Sequence, residues 1–318
     1  MRTAALKAAL ELDLFTAIGR GGHDPAALAE LCGASPRGIR MLCDSLVVDG
    51  FLVKRGGRYE LTPDTAAFLD RRSPAFLGSA VRFLTCAVQV EAFDHLAEAV
   101  RKGGTILPGH GSMEPDHPIW EEFARDMGPM MATTAALLAT EVDAASGGRW
   151  KVLDIAAGHG QYGIAIARGN PNARIVALDW PRVLNVAREN ARKAGVAGRY
   201  STIEGSVFEV DLGRDYDLVL LTNFLHHFDQ PTCETLLRKV HAALKPGGRA
   251  ATVDFVPNED RVSPPTPAGF ALTMLATTEC GDAYTFAEFD RMFRNAGFAR
   301  SELRPLRPTF QDAILSYR

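Results

Sequence analysis

The stretch Lys151-Val152-Leu153-Asp154-Ile155-Ala156-Ala157-Gly158-His159-Gly160-Gln161-Tyr162-Gly163 decides the fold of this 318-residue chain. Its first five residues read as a buried strand, a glycine-rich turn follows, and Ile164 and Ile166 continue the pattern into a helix. Glycine lets the backbone pass close beneath a ligand with dihedrals barred to other residues. The helix N-terminus beyond it offers free N–H groups and a positive dipole end, suited to a carboxylate or a phosphate. Further along, Arg174-Ile175-Val176-Ala177-Leu178-Asp179 reads as a second strand and 182–194 as a helix. Asp217-Leu218-Val219-Leu220-Leu221 gives a third strand, 231–244 a helix, and the segment from Arg249 to Phe255 a fourth strand. Alternation at this pitch predicts an α/β fold, a parallel sheet with helices on both faces.

Two ligands suit such a turn. Gly158, Gly160 and Gly163 satisfy G-x-G-x-x-G, and Asp179 lies 21 residues beyond Gly158, where a carboxylate accepts hydrogen bonds from ribose hydroxyls. That much also describes a nicotinamide dehydrogenase. The discriminating residue is Asp154, at the strand end four residues before Gly158. Beside a pyrophosphate its charge is repulsive, whereas a zwitterionic amino-acid tail meets it with an ammonium group. S-adenosylmethionine has that tail and NAD does not. The structural alternative for Asp154 is a helix or turn cap.

Ahead of this region, residues 1–75 read as helices followed by a small hairpin. Leu6, Leu10, Leu14 and Ile18 recur at helical spacing, Asp24-Pro25 and Ser35-Pro36 open further helices, and Arg55-Gly56-Gly57-Arg58 joins two short strands. Three helices and a wing describe a winged helix-turn-helix, which raises the possibility of a DNA-reading regulator. Residues 1–75 hold ten Lys/Arg against nine Asp/Glu, so the positive field that phosphate contacts require is nearly absent. Protein–protein packing is the expected use. Residues 76–146 read as mostly helical, with a Gly/Pro/His loop at 103–118 and a linker at Ser146-Gly147-Gly148.

Composition sets the outer bounds. With 47% hydrophobic and 23% charged residues the chain is globular, and its net charge of −3 argues against a nucleic-acid partner. Five scattered cysteines without a C-x-x-C pair point to a reducing, cytoplasmic compartment rather than to disulfides or zinc. No apolar run reaches membrane-spanning length, and Lys7, Glu11 and Asp13 interrupt the N-terminal stretch that first suggests a signal peptide. No metal is implied.

VLDIAAGHG (152–160) resembles the first motif of class I methyltransferases, with Ala156 in place of its first glycine. ALDWP (177–181), IEGSVFE (203–209) and LKPGGR (244–249) resemble the motifs that follow. ELDLFTAI (11–18), AALAELCG (26–33), LVVDGFL (46–52) and YELTPDTAAFL (59–69) extend the likeness. Together they resemble the winged-helix small-molecule O-methyltransferases related to the plant caffeate and bacterial antibiotic-tailoring enzymes. The resemblance implies a Rossmann-like domain at 147–318, a winged-helix dimerisation domain at 1–75, and a helical connector and substrate lid at 76–146. It also implies a homodimer with helices fed over the partner's cleft.

For the cofactor S-adenosylmethionine, and its product S-adenosylhomocysteine, the resemblance puts Asp154, Ala156 and Gly158 at the methionine end and Asp179 at the ribose. Trp180, Ser206, Val207 and Phe208 border the adenine, Ser206 departing from the usual acid. In Thr222-Asn223-Phe224-Leu225-His226-His227-Phe228-Asp229, His226 takes the position of the family's catalytic base, and a near-neutral imidazole suits removal of a phenolic proton. His227 stands where an acid is usual and reads as a helix-start or surface residue. Asp254 occupies the first flanking acid and would orient His226; the second falls at Ala283, with Asp282 adjacent. That departure leaves C- or N-methylation, or a non-methylating hydroxylase- or pericyclase-like reaction, as alternatives. Phe123, Met127, Met130, Met131 and Met274 are the expected walls for a flat, aromatic or polyketide-like acceptor.

Overall fold

A computed structural model describes residues 1–109, 116–146 and 148–318. Residues 110–115 of the Gly/Pro/His loop and Gly147 of the expected linker lie outside the described residues. The chain divides into two compact units, Met1–Ala87 and Val88–Arg318.

The first unit comprises α1 (Arg2–Glu11), α2 (Leu14–Gly19), α3 (Pro25–Cys32), α4 (Pro36–Val48), the hairpin β1 (Leu52–Arg55) and β2 (Arg58–Leu61), then α5 (Pro63–Phe68) and α6 (Gly78–Leu84). The stripe from Leu6 to Ile18 is two helices rather than one. Asp13 adopts a left-handed φ of 51°, which ends the first and re-aims the chain so that Leu14, Phe15 and Ile18 all bury. The capping signals act as expected: Asp24 accepts hydrogen bonds from the Ala26 and Ala27 N–H groups, and Ser35 accepts one from Gly38 N–H. Arg55 pairs with Arg58 across Gly56 and Gly57, both at positive φ, the geometry of a two-residue hairpin turn. Leu28, Ile39, Cys43, Leu46 and Tyr59 complete a core of this unit's own.

The second unit holds most of α7 (Ala87–Asp94), then α8 (Leu96–Lys102) and the long α9 (Ile119–Glu141). There follow β3 (Lys151–Ile155), α10 (Gln161–Gly169), β4 (Arg174–Asp179), α11 (Pro181–Lys193), β5 (Tyr200–Glu204), β6 (Tyr216–Thr222), α12 (Gln230–Ala243) and β7 (Leu244–Asp254). The chain finishes with α13 (Pro265–Thr277), α14 (Phe286–Asn295), β8 (Arg300–Pro305) and β9 (Asp312–Tyr317). Sheet order is β5-β4-β3-β6-β7-β9-β8. The first five strands in that order are parallel, and β9 runs antiparallel to β7 and β8. The four strands expected from sequence form the sheet's centre, where apolar residues face helices on both sides and register is fixed by burial. Because the chain leaves β3 toward β4 and returns to β6 on its other side, a crevice opens at the carboxyl ends of β3 and β6. Asp154, Asp179 and Asp254 all sit at that edge of the sheet.

Candidate active site

The glycine turn is built by close approach. A methyl group at Gly163 would lie 2.8 Å from both the Asp154 carboxylate and Ile175, so only glycine lets α10 start this near β3. Gly160, at φ +73°, caps α10 in a conformation that side chains resist. Ala156 has a φ of +51° where the resembled motif carries glycine. Left-handed alanine is strained. Ala156→Gly is therefore expected to raise stability by about 0.5–1 kcal/mol in urea unfolding, the relief exceeding glycine's extra unfolded-state entropy.

Asp154 is fully buried between β4 and β6. One carboxylate oxygen, Oδ2, accepts a 3.0 Å hydrogen bond from Gly163 N–H; the other, Oδ1, has no partner among the described residues. Burial pushes this carboxyl up to about 8; the Gly163 bond opposes that rise and the neighbouring Asp179 charge adds to it. A buried carboxylate oxygen without a donor is uncommon in folded proteins and calls for a ligand. Asp179 accepts bonds from Gly158 N–H at 2.8 Å and Trp180 N–H at 2.7 Å, each oxygen keeping a further lone pair. Burial raises it to about 6.

Around these acids the remaining expected cofactor residues separate. Trp180 is half-buried and packs with Ala124, Val183, Val186 and Trp120. Val207 is buried, and its carbonyl accepts a bond from Lys239, which also holds Val210. Ser206 Oγ accepts from Phe208 N–H, while the Phe208 ring is exposed and stands edge-on to Phe228.

Beyond β6 the chain makes a short 3-10 turn, Leu225–His227. His226 is buried, and its Nδ1 lies 2.6 Å from Asp254 Oδ1, which also accepts the Phe255 N–H. Asp254 closes β7 and His226 lies in the turn after the adjacent strand β6, which is why positions 28 apart meet. Against a carboxylate, Nδ1 carries the hydrogen and Nε2 keeps its lone pair. Phe270 of α13 stands edge-on to His226 at 4.9 Å, and Met274 follows one turn later on the same helix. His227 is not a surface residue. It is half-buried, with its ring 4.3 Å from that of His226 and 5.3 Å from Trp120.

Asp282 does not supply the second acid. Its carboxylate is paired with Arg261 and its N–H donates to the His226 carbonyl, so it supports the backbone and leaves the imidazole flanked by Asp254. Ala283 is buried.

Helix α9 packs on α10 close to the glycine turn, and a methyl group at Gly128 would lie 3.4 Å from His159. Phe123 stacks on His159, Met127 and Met131 are buried, and Tyr162 Oη contacts Met131 Sδ at 3.8 Å. Met130 falls off this stripe and is exposed. Trp120, His159, Tyr162, Asn223 and Phe270 border the site without having been singled out in the sequence. Asn223, at φ +53°, donates to Tyr162 Oη and accepts from Gln311, tying α10 to the end of β6. The spacing of Trp120, Phe123 and Met127 at three and four residues carried a signal for the first of these.

The family model for the O-methyltransferase domain matches residues 93–299, and that for the O-methyltransferase dimerisation domain matches 1–71. The chain is similar to 3-hydroxy-5-methyl-1-naphthoate 3-O-methyltransferase of Streptomyces sahachiroi, at 30% identity over 96% of this chain and 88% of the relative. An O-methyltransferase structure from Nostoc punctiforme is 53% identical, with a TM-score of 0.96 over 100% of this chain and 96% of that one. PigF, a methyltransferase of Serratia solved with S-adenosylhomocysteine, is 26% identical, with a TM-score of 0.86 over 100% and 96%.

Proposed function

The chain belongs to the S-adenosylmethionine-dependent O-methyltransferase family, and on that premise we propose that it methylates a hydroxyl of a small aromatic or polyketide-like acceptor with His226 as base. One observation carries this reading. A buried His226–Asp254 pair and an unpartnered Asp154 oxygen lie at the same edge of one sheet.

The residues fit the cofactor, because Asp154 Oδ1 lacks the donor that an amino-acid ammonium would bring. When bound, S-adenosylmethionine supplies an electrophilic methyl group on a positively charged sulfur. Asp154 would hold its amino group, the backbone at Ala156 and Gly158 would lie beneath the methionine end, and the free lone pairs of Asp179 would take the ribose hydroxyls. Trp180, Ser206, Val207 and Phe208 would border the adenine. Asp254 fixes the His226 tautomer, so that Nε2 receives the acceptor's proton while the oxygen is held in line for attack. The resulting imidazolium is stabilised by the carboxylate 2.6 Å from Nδ1. Phe123, Met127, Met131, Phe270 and Met274 would hold the acceptor's faces.

The supporting test is incubation with methyl-labelled S-adenosylmethionine and a panel of phenols, followed by mass spectrometry. Gain of one CH₂ on oxygen supports the reading. A modified product without that gain favours the non-methylating branch, and methyl on carbon or nitrogen favours that alternative; the commitment of Asp282 to Arg261 keeps both in view.

Unit Met1–Ala87 carries the dimerisation-domain match, and we place the homodimer contact there. Residues 76–146 are proposed to serve as connector and lid. Among the described residues no helix is long and apolar enough to cross a membrane. All five cysteines are free thiols, which supports a cytoplasmic assignment.

A further inference from the structure

The two neighbouring imidazoles have a feature in common that the base assignment does not use. His226 Nδ1 faces a carboxylate, and His227 Nδ1 lies 3.1 Å from the Phe224 carbonyl. Both partners can only accept, so both Nδ1 atoms carry hydrogen and both Nε2 atoms present a lone pair. Neither Nε2 has a hydrogen-bond partner among the described residues. The ring centres are 4.3 Å apart with their planes tilted by 46°, so the two imidazoles are direct neighbours. Burial and the adjacent His226 hold His227 well below the usual histidine range, so it stays a neutral acceptor. Trp120 and Phe224 present ring edges and faces around it.

We propose that His227 is a specificity-determining residue, selecting acceptors that carry a second hydroxyl or other hydrogen-bond donor beside the hydroxyl that His226 deprotonates. The inference rests on the methyltransferase reading. Two lone pairs side by side reject a carboxylate or an ether oxygen next to the reacting hydroxyl, because a group that can only accept leaves His227 Nε2 unmatched in the closed complex. An ortho-diphenol satisfies both nitrogens: one hydroxyl gives its proton to His226 as the methyl bond forms, and the other donates to His227 throughout.

The test needs no turnover. Protein saturated with S-adenosylhomocysteine is titrated with 4-nitrocatechol and with 2-methoxy-4-nitrophenol, both followed by absorbance. The wild type is expected to bind the catechol about ten-fold more tightly, the scale of one hydrogen bond at a desolvated acceptor. His227→Phe, which keeps a ring and loses the acceptor, is expected to reduce the ratio to within about two-fold. His227→Gln, which restores an acceptor oxygen, is expected to recover part of it; a purely structural role would not show that rescue. Equal or unmeasurable affinity for the two probes, or a ratio that survives in His227→Phe, overturns the assignment. Failure of the wild type to bind S-adenosylhomocysteine in the same titration overturns the methyltransferase reading itself, and this proposal with it.

Discussion

His226→Ala is expected to lower kcat for methyl transfer by about 10²–10⁴-fold, the range general-base catalysis supplies, while the affinity for S-adenosylhomocysteine changes little. The separation follows from placement. His226 lies in the 3-10 turn after β6 and bonds Asp254, whereas the carboxylates proposed to face the cofactor belong to β3 and β4. Alanine removes the imidazole and leaves Asp254 Oδ1 with the Phe255 N–H alone, so folding is perturbed by loss of a buried partner as well. Two controls separate those effects. Thermal unfolding reads the stability loss, and acceptors with already ionised hydroxyls should regain much of the lost rate, because they no longer need a base. Unchanged turnover with neutral phenols would remove His226 from the mechanism.

Asp154→Asn acts on the other half of the site and should move two quantities in opposite directions. The asparagine oxygen can still accept Gly163 N–H, but the charge proposed to meet the cofactor's ammonium group is gone. Affinity for S-adenosylhomocysteine is expected to fall by about 10- to 100-fold in calorimetric titration, the worth of a charge-assisted hydrogen bond. The free protein, by contrast, should unfold less readily at alkaline pH. The ordinary carboxyl value of 3.8 is raised to about 8 in the fold, chiefly by burial. Between these values the folded state holds a proton that the unfolded chain has released. Folding stability therefore falls as pH rises through this window and is fully retained below its lower end. The substitution should flatten that slope. A slope identical to wild type would mean that Asp154 titrates as it does in the unfolded chain.

Much of this site could be read from sequence because it is local. Asp154, the glycines and α10 belong to one strand–turn–helix, and Asp179 closes the next strand in parallel register. The His226–Asp254 pair was implied by the family resemblance: Asp254 ends β7 and His226 lies in the turn after β6. What stayed hidden depends on how distant elements cross. Helix α9 buries Met127 and Met131 but not Met130, because contact with α10 selects positions four apart. His227 read as a helix-start or surface residue, whereas the 3-10 turn places its ring beside His226 and Trp120. The C-terminal strands β8 and β9 carry weak signals of their own. The β8 sequence Arg300-Ser301-Glu302-Leu303-Arg304-Pro305 is a largely exposed, charged edge that pairing with β9 alone makes a strand. The break between α1 and α2 was masked for a different reason: Asp13 preserves the helical spacing of leucines while turning the axis.

The claim on which the rest depends is that Asp154 waits for an ammonium group. Titration of the wild-type protein with S-adenosylhomocysteine at pH 7, in two buffers of different ionisation enthalpy, measures it directly. A carboxyl raised to about 8 is largely protonated in the free protein at that pH, and pairing with the ligand's amino group should expel the proton. Release of about one proton per ligand, absent in Asp154→Asn, is the expected result. Tight binding with no proton release, or binding of NADH in place of S-adenosylhomocysteine, would contradict the account.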